Sequence, residues 1–266
     1  MRSITVWLSL VALGGSPAFA ADRLTDKDVR ALVARIEQGR DRFDDELDDK
    51  VKRDTVRGPS GEVKVELFLN DFQENIDRVE ERLKPDYAAS AEVATLLRQA
   101  SIIDEAFRRH PGGTRGESEW NRLATDLKTL AMAYGASFPL SENATVRRIG
   151  DGELTDAIEE VAKTGDRLKK SLDSDLKKDA TVGKDVRQGI VAEAQDLARD
   201  AKALRKRVKD GQPSSAEADQ LLLRAAKMQS IIDEHQVPAS AAIWASANEP
   251  LRNLASAYGG SWHPGR

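Results

Sequence analysis

The chain has no cysteine among its 266 residues. That absence excludes a disulfide framework, a thiolate metal site, covalently attached c-type haem, a cysteine nucleophile and a lipid-modified N-terminal cysteine. Histidine is nearly as scarce, with only His110, His235 and His263. A dimetal site on helices needs Glu-x-x-His pairs, and none occurs, because Glu105 precedes His110 by five residues and Glu234 adjoins His235. Gly-x-Ser-x-Gly, a phosphate loop and a dinucleotide fingerprint are missing as well. No catalytic, cofactor or metal residue is assigned on this reading, and an enzyme is the least supported class. Aromatics make up 5% of the chain, and the basic run Lys202, Arg205, Lys206, Arg207 and Lys209 has none interleaved for base stacking, which argues against nucleic acid.

Past the first twenty residues no stretch approaches the ~18 consecutive apolar residues that span a bilayer, so no membrane anchor is expected. The first twenty have a different character. Arg2, an apolar core from Ile4 to Leu13, and Ala18-Phe19-Ala20 read as a cleavable signal peptide, residues 1–20, cut near Ala20. The expected product is exported, periplasmic or secreted. Charged residues form 32% of the chain and the small, straight-chain helix formers are abundant, a helical composition.

What the sequence does have is an element written twice. Residues 127–138 read LKTLAMAYGASF and 251–262 read LRNLASAYGGSW, each with a tryptophan seven residues ahead, Trp120 and Trp244. Tyr134, Gly135 and Phe138 thus correspond to Tyr258, Gly259 and Trp262. Upstream, Val65, Leu69, Phe72, Ile76, Val79 and Leu83 lie 125 residues before Ile190, Ala194, Leu197, Ala201, Leu204 and Val208, apolar throughout at spacings of four and three. The expected fold is all-α, two tandem four-helix bundles related by internal duplication, with a first repeat at 21–138, a polar linker at 139–152 and a second repeat at 153–266.

The remaining helices follow from caps and stripes. Thr25 with Asp28 caps the first, which carries Val29, Leu32, Ile36, Phe43, Leu47 and Val51 toward a break at Arg57–Gly61; its counterpart is expected to start at Thr155, carrying Ile158, Val161, Leu168, Leu172 and Leu176. Third helices start near Ser90 and Ser214 and end in a shared Ser-Ile-Ile-Asp-Glu at 101–105 and 230–234, which implies a four-residue insertion in the second copy. Fourth helices end at Gly135 and Gly259, glycines suited to a left-handed C-cap. Pro250 predicts that the last helix is short, capped by Asn248 with Glu249 and Pro250 in its first turn. Trp120 and Tyr134, about four turns apart, read as core plugs at opposite ends of one stripe. Met132, in an apolar fourth helix, reads as core filling. The acidic run 44–49 reads as a solvated face, since it lacks a calcium-loop pattern.

The Trp-x6-Leu-x2-Leu-Ala-x-Ala-Tyr-Gly element, with Ser-Phe or Ser-Trp after it, resembles a loose group of uncharacterised exported bacterial helical-bundle proteins. The resemblance implies an envelope-exported bundle and carries over no functional residue. Leu-Thr-Asp at 24–26 and 154–156 is similar to a motif of periplasmic chaperone-like stress proteins, without the glutamine of that motif.

The copies differ most in charge. Residues 21–140 carry a net charge of −5 and residues 141–266 none, and Glu80 and Glu81 become Arg205 and Lys206 at the 125-residue shift. These four residues define a candidate interaction face, on which two related helices of opposite sign meet within one chain or between chains. The function expected is a cell-envelope binding or structural module that works through helix surfaces on a protein partner or on itself. A small-ligand, metal or haem-binding bundle is the alternative, and a chaperone-like stress protein a further one.

Overall fold

The computed structural model describes residues 23–47, 49–53, 55–58, 61–109, 115–179, 181–235 and 237–264. Residues 1–20, read above as a signal peptide, and His110 lie outside them. Among the described residues the chain is helical apart from one small hairpin.

Helix α1 (Asp26–Glu46) starts where the sequence places it. Thr25 Oγ1 accepts the Asp28 amide at 3.1 Å while Asp28 Oδ2 accepts the Thr25 amide at 3.0 Å, a reciprocal capping box. Those donors from Thr25 hold the Asp28 carboxyl below its ordinary range. Inward from the cap, Val29, Leu32, Val33, Ile36 and Phe43 are buried on one stripe. A single turn, α2 (Asp49–Lys52), leads into the hairpin that the composition did not announce, β1 (Thr55–Gly58) against β2 (Gly61–Lys64), antiparallel with Thr55 opposite Lys64 and Gly58 opposite Gly61. The Arg57–Gly61 break falls between these strands, and residues 59 and 60 within it lie outside the described residues.

Three helices complete the first half: α3 (Val65–Arg82), α4 (Ser90–Arg109) and α5 (Glu117–Ala133). All six apolar positions of the α3 stripe are buried. Together with α1 they close a core from Val29 to Leu140. The second half has α6 (Asp151–Lys178), α7 (Lys184–Lys209), α8 (Ser215–His235), α9 (Pro238–Ala245) and α10 (Asn248–Ala257), around a separate core from Ile149 to Trp262.

Three sequence expectations need correction. Helix α6 begins at Asp151, with Gly150 at its N-cap, one turn ahead of Thr155, which is a buried interior residue. Its start lies 125 residues after that of α1, so the Leu-Thr-Asp strings at 24–26 and 154–156 are not equivalent. The four-residue insertion is also absent: α4 and α8 start 125 residues apart, and buried Val93, Leu96, Ala100 and Ile103 stand opposite buried Ala218, Leu221, Ala225 and Met228 at that same shift. The shared Ser-Ile-Ile-Asp-Glu strings are one turn out of step. The region before the last helix is α9, and α10 keeps Glu249 and Pro250 in its first turn as expected, yet Asn248 is its first residue and Ala247 holds the cap without a side-chain bond.

The first helix of each half hugs a different neighbour, and a glycine decides which. In α1, a Cβ on buried Gly39 would lie 3.1 Å from Leu123 Cδ1, so α1 lies close on α5. In α6, a Cβ on Gly165 would lie 3.0 Å from the Ala194 oxygen and 3.0 Å from the Ala198 nitrogen, so α6 and α7 approach backbone to backbone. Ala194, Ala198 and Ala201 permit that approach, which closes the space that Leu69 and Ile76 fill in the first half.

Candidate functional site

The repeated aromatics sit inside the two cores. Trp120 is 1% exposed, tilts against Phe43 with ring centroids 5.3 Å apart, and donates its indole N–H to Asp104 Oδ1 at 3.2 Å. Trp244 donates to Gln229 Oε1 at 2.6 Å and meets Trp262 edge-on at 6.5 Å. Asp104 and Gln229 are again 125 apart. Gly135 and Gly259 hold φ of 66° and 73°, and each closes a Schellman motif, with Ala136 donating to Ala131 and Gly260 to Ala255. Phe138 and Trp262 are buried just beyond. Tyr134 donates its hydroxyl to the Ala88 carbonyl at 2.6 Å, and burial pushes that phenol up to about 12. The Tyr258 hydroxyl lies 2.7 Å from Ser214 Oγ and is raised by burial as well.

The candidate interaction face is not assembled within the chain. Arg205 pairs with Glu159 of α6 in its own half, and neighbouring Lys202 pairs with Asp166 at 2.8 Å. Among the described residues no ion pair joins Arg205 or Lys206 to Glu80 or Glu81. Glu80 and Glu81 remain on the exposed side of α3, where partial burial and the nearby carboxylates of Glu37 and Asp77 raise the Glu80 pKa. The acidic run is also engaged locally, with Asp44 paired to Lys52 at 2.8 Å. Met132 is 70% exposed and is not core filling, because Leu127, Leu130 and Ala131 already occupy the inward face of α5. Met228 is buried; His235 ends α8 half-buried, and His263 is exposed. Among the described residues no cluster of three or more His, Asp or Glu is arranged to hold a metal, and no helix is long and apolar enough to cross a membrane.

The constellation that sequence reasoning missed lies at the junction of the halves. Helices α1 and α6 meet head to head at their N-termini. The Asp26 amide donates to Asp151 Oδ2 at 2.8 Å, and the Asp151 amide donates to Asp26 Oδ2 at 3.0 Å. Arg23 pairs with Asp151 and reaches the Ile149 carbonyl at 2.6 Å; Arg148 pairs with Asp26 and reaches the Leu24 carbonyl at 2.9 Å. Two positive helix ends would repel, and two carboxylates between them, each held by an arginine, make the contact attractive. Arg148 and Asp26 keep only 3% and 9% of their side-chain surface exposed. Exchanging 23 with 148, 24 with 149 and 26 with 151 reproduces every one of these contacts. The signal was available as Arg-x-x-Asp at 23–26 and 148–151, obtained by running the 125-residue shift back to the start of the fold.

The polar stretch 139–150 is strapped down. Leu140 donates its amide to Ser101 Oγ at 2.8 Å, Arg147 to the Tyr134 carbonyl at 3.0 Å and Arg148 to Ser90 Oγ at 3.2 Å. Beside the junction, a cleft of about 590 Å³ is lined by Asp86, Glu153, Asp156, Glu160 and Glu249. A second, of about 650 Å³, runs over Ile102, Pro139 and Leu140 with Arg98 and Gln99 at its edge. The Gln99 amide is already bonded to Asn75 and to the Phe68 carbonyl.

Against known protein families, curated proteins and solved structures, the chain finds no match. Its function is therefore read from its sequence and this geometry alone.

Proposed function

We propose that the chain is two tandem four-helix units that arose by internal duplication, joined through 139–150, and that it is exported to serve the cell envelope as a binding or structural module acting through helix surfaces. The observation that carries this reading is the junction. A buried, reciprocally bonded clamp fixes one core against the other, so outward faces of both units keep a constant relation, as a rigid multi-helix binding surface requires. Offsets of 125 residues between the starts of α1 and α6 and of α4 and α8, between the buried stripes and between the indole partners, and of 124 between the tryptophans themselves, support the duplication. The outward faces are laced with ion pairs, among them Arg224 of α8 with Glu193 and Asp200 of α7 at 2.9 and 2.7 Å, which favours polar and electrostatic recognition over an apolar groove.

The test places a photo-crosslinking residue at exposed Glu81, at exposed Lys206 and, as a control, at exposed Met132 in the native host. A discrete adduct from Glu81 or Lys206 that is absent from Met132, in the envelope fraction, is the expected result. Adducts spread equally over all three positions, or a cytoplasmic chain that keeps residues 1–20, would refute the proposal. The cleft over Ile102 and Leu140 favours a second reading, a small-ligand binder. Its discriminator is the absorption spectrum and mass of any molecule retained by protein purified from that host.

A further inference from the structure

The junction has the symmetry of a homodimer, although both sides belong to one chain. In a head-to-tail contact between repeats, residue i of the first touches residue j of the second without the converse. Here the converse holds for the cross-junction polar contacts of the clamp: Arg23 on Asp151 and Arg148 on Asp26, Arg23 on the Ile149 carbonyl and Arg148 on the Leu24 carbonyl, and the two aspartates exchanging amide bonds. The surroundings follow the same exchange. The Tyr134 phenol lies in the field of Arg148 and Asp26, and the Tyr258 phenol in that of Arg23 and Asp151. An interface of this kind is isologous, and an isologous face is complementary to itself.

We infer that the second half carries a self-complementary docking face and, released from the first, takes the second half of another copy of this chain as its partner. The second half is favoured by a steric detail. Gly152 packs so tightly on the Pro85 carbonyl that a Cβ there would overlap the oxygen. Its counterpart at the 125-residue shift is Lys27, so pairing two first halves would drive a lysine side chain into Pro85, whereas pairing two second halves sets glycine opposite Asp210 and Gly211. Arg148 and Asp151 then meet Asp151 and Arg148 of the other copy with the amide bonds, ion pairs and carbonyl bonds of the clamp retained, and the Arg148 amide exchanges Ser90 for its counterpart Ser215. The inference goes beyond the envelope role and is independent of it, since it uses only the contacts of the clamp.

The test uses the full mature chain. In Arg23→Asp/Asp26→Arg, like charges face each other at both points of the clamp, the halves part, and the intact second-half face is freed. Light scattering across a hundredfold concentration range should show wild type as one chain and the variant passing from one chain to two. Adding Arg148→Asp to the variant sets a carboxylate at position 148 against Asp151 of the other copy while offering a partner within the chain to the arginine introduced at position 26, and should return it to one chain. A folded variant that stays a single chain at every concentration overturns the inference, as does a dimer that survives Arg148→Asp. If circular dichroism shows that the variant does not fold, refolding of wild type from denaturant decides. A dimer fraction that rises with protein concentration during refolding supports the inference, and refolding only to single chains overturns it.

Discussion

Replacing Gly165 by alanine should destabilise the second half, against the usual effect of removing a glycine from a helix. In an exposed helix interior the substitution gains about 1 kcal/mol, because glycine gives up the most backbone freedom on ordering. At Gly165 the new Cβ would stand 3.0 Å from the Ala194 oxygen, the Ala198 nitrogen and the Ala198 Cβ. Ordinary contacts of this kind are several tenths of an ångström longer. Two of the three neighbours are main-chain atoms inside α7, and they cannot rotate away, so α7 must move as a body. That movement loosens Ala194, Leu197, Ala201 and Leu204 together, and overpacking of this kind costs about 1–3 kcal/mol. With the propensity gain subtracted, a net loss of up to about 2 kcal/mol is expected, which lowers the melting temperature by up to about 8 °C for a chain of this size. Two controls share the chemistry and differ in surroundings. A Cβ on Gly39 would meet the flexible end of Leu123, so Gly39→Ala should be near neutral; Gly189 has nothing within 4 Å, so Gly189→Ala should stabilise by about 0.5–1 kcal/mol. Urea unfolding followed by circular dichroism and by the fluorescence of Trp244 and Trp262 measures all three. A Gly165→Ala protein as stable as wild type would refute the claim that backbone approach holds α6 on α7.

Three further outcomes follow from the same structure. Tyr134 ionises near 10 when unfolded and at about 12 when folded, so stability should be level below pH 10 and fall by about 2–3 kcal/mol between pH 10 and 12, a loss that Tyr134→Phe removes; alkaline unfolding monitored at several pH values checks it. Arg148→Ala strands a buried aspartate and should cost about 3–5 kcal/mol, whereas Arg35→Ala, which breaks an exposed pair with Asp126, should cost less than about 1 kcal/mol; denaturant midpoints compare them. Asp104→Asn keeps an acceptor for the Trp120 indole and should be tolerated, while Asp104→Ala removes that buried hydrogen bond and should cost about 1–3 kcal/mol, read from the Trp120 fluorescence transition.

Much of the helical frame was legible because it depends on burial, and burial leaves a periodic trace. The stripes on α1, α3, α6 and α7 were read from spacing alone and lie buried wherever their side chains are described. Identity of letters was a poorer guide. The matching Ser-Ile-Ile-Asp-Glu strings turn an isoleucine inward in both helices, Ile103 and Ile232, but they stand at different levels along the axis. A tryptophan entering from the neighbouring helix meets whatever residue stands at its own level, and at that level α8 offers Gln229 and not Asp233. Asp233 instead accepts a bond from Gln229 at its surface. Level, carried by an offset of 125 residues for the apolar positions of α3 with α7 and α4 with α8, and of 124 in the last helix, is the physical quantity that puts these buried positions in register. The hairpin left less trace, since four-residue strands are too short for a period to register.

The clamp was illegible for a different reason. Arginine, aspartate and glycine between two helical domains have the composition of a solvated linker, and composition cannot tell whether solvent is present. What removes the solvent is the approach of two helix ends, each with unpaired amides that need acceptors. An aspartate at the first position of one helix could have satisfied its own end, as Thr25 and Asp28 do nearby. Here each aspartate satisfies the other helix, so neither end is complete without its counterpart, and the arginines follow because two carboxylates at that distance need compensating charge. The pairing therefore joins the halves more specifically than apolar contact would, since a shift of one residue in either helix breaks both amide bonds and both ion pairs at once.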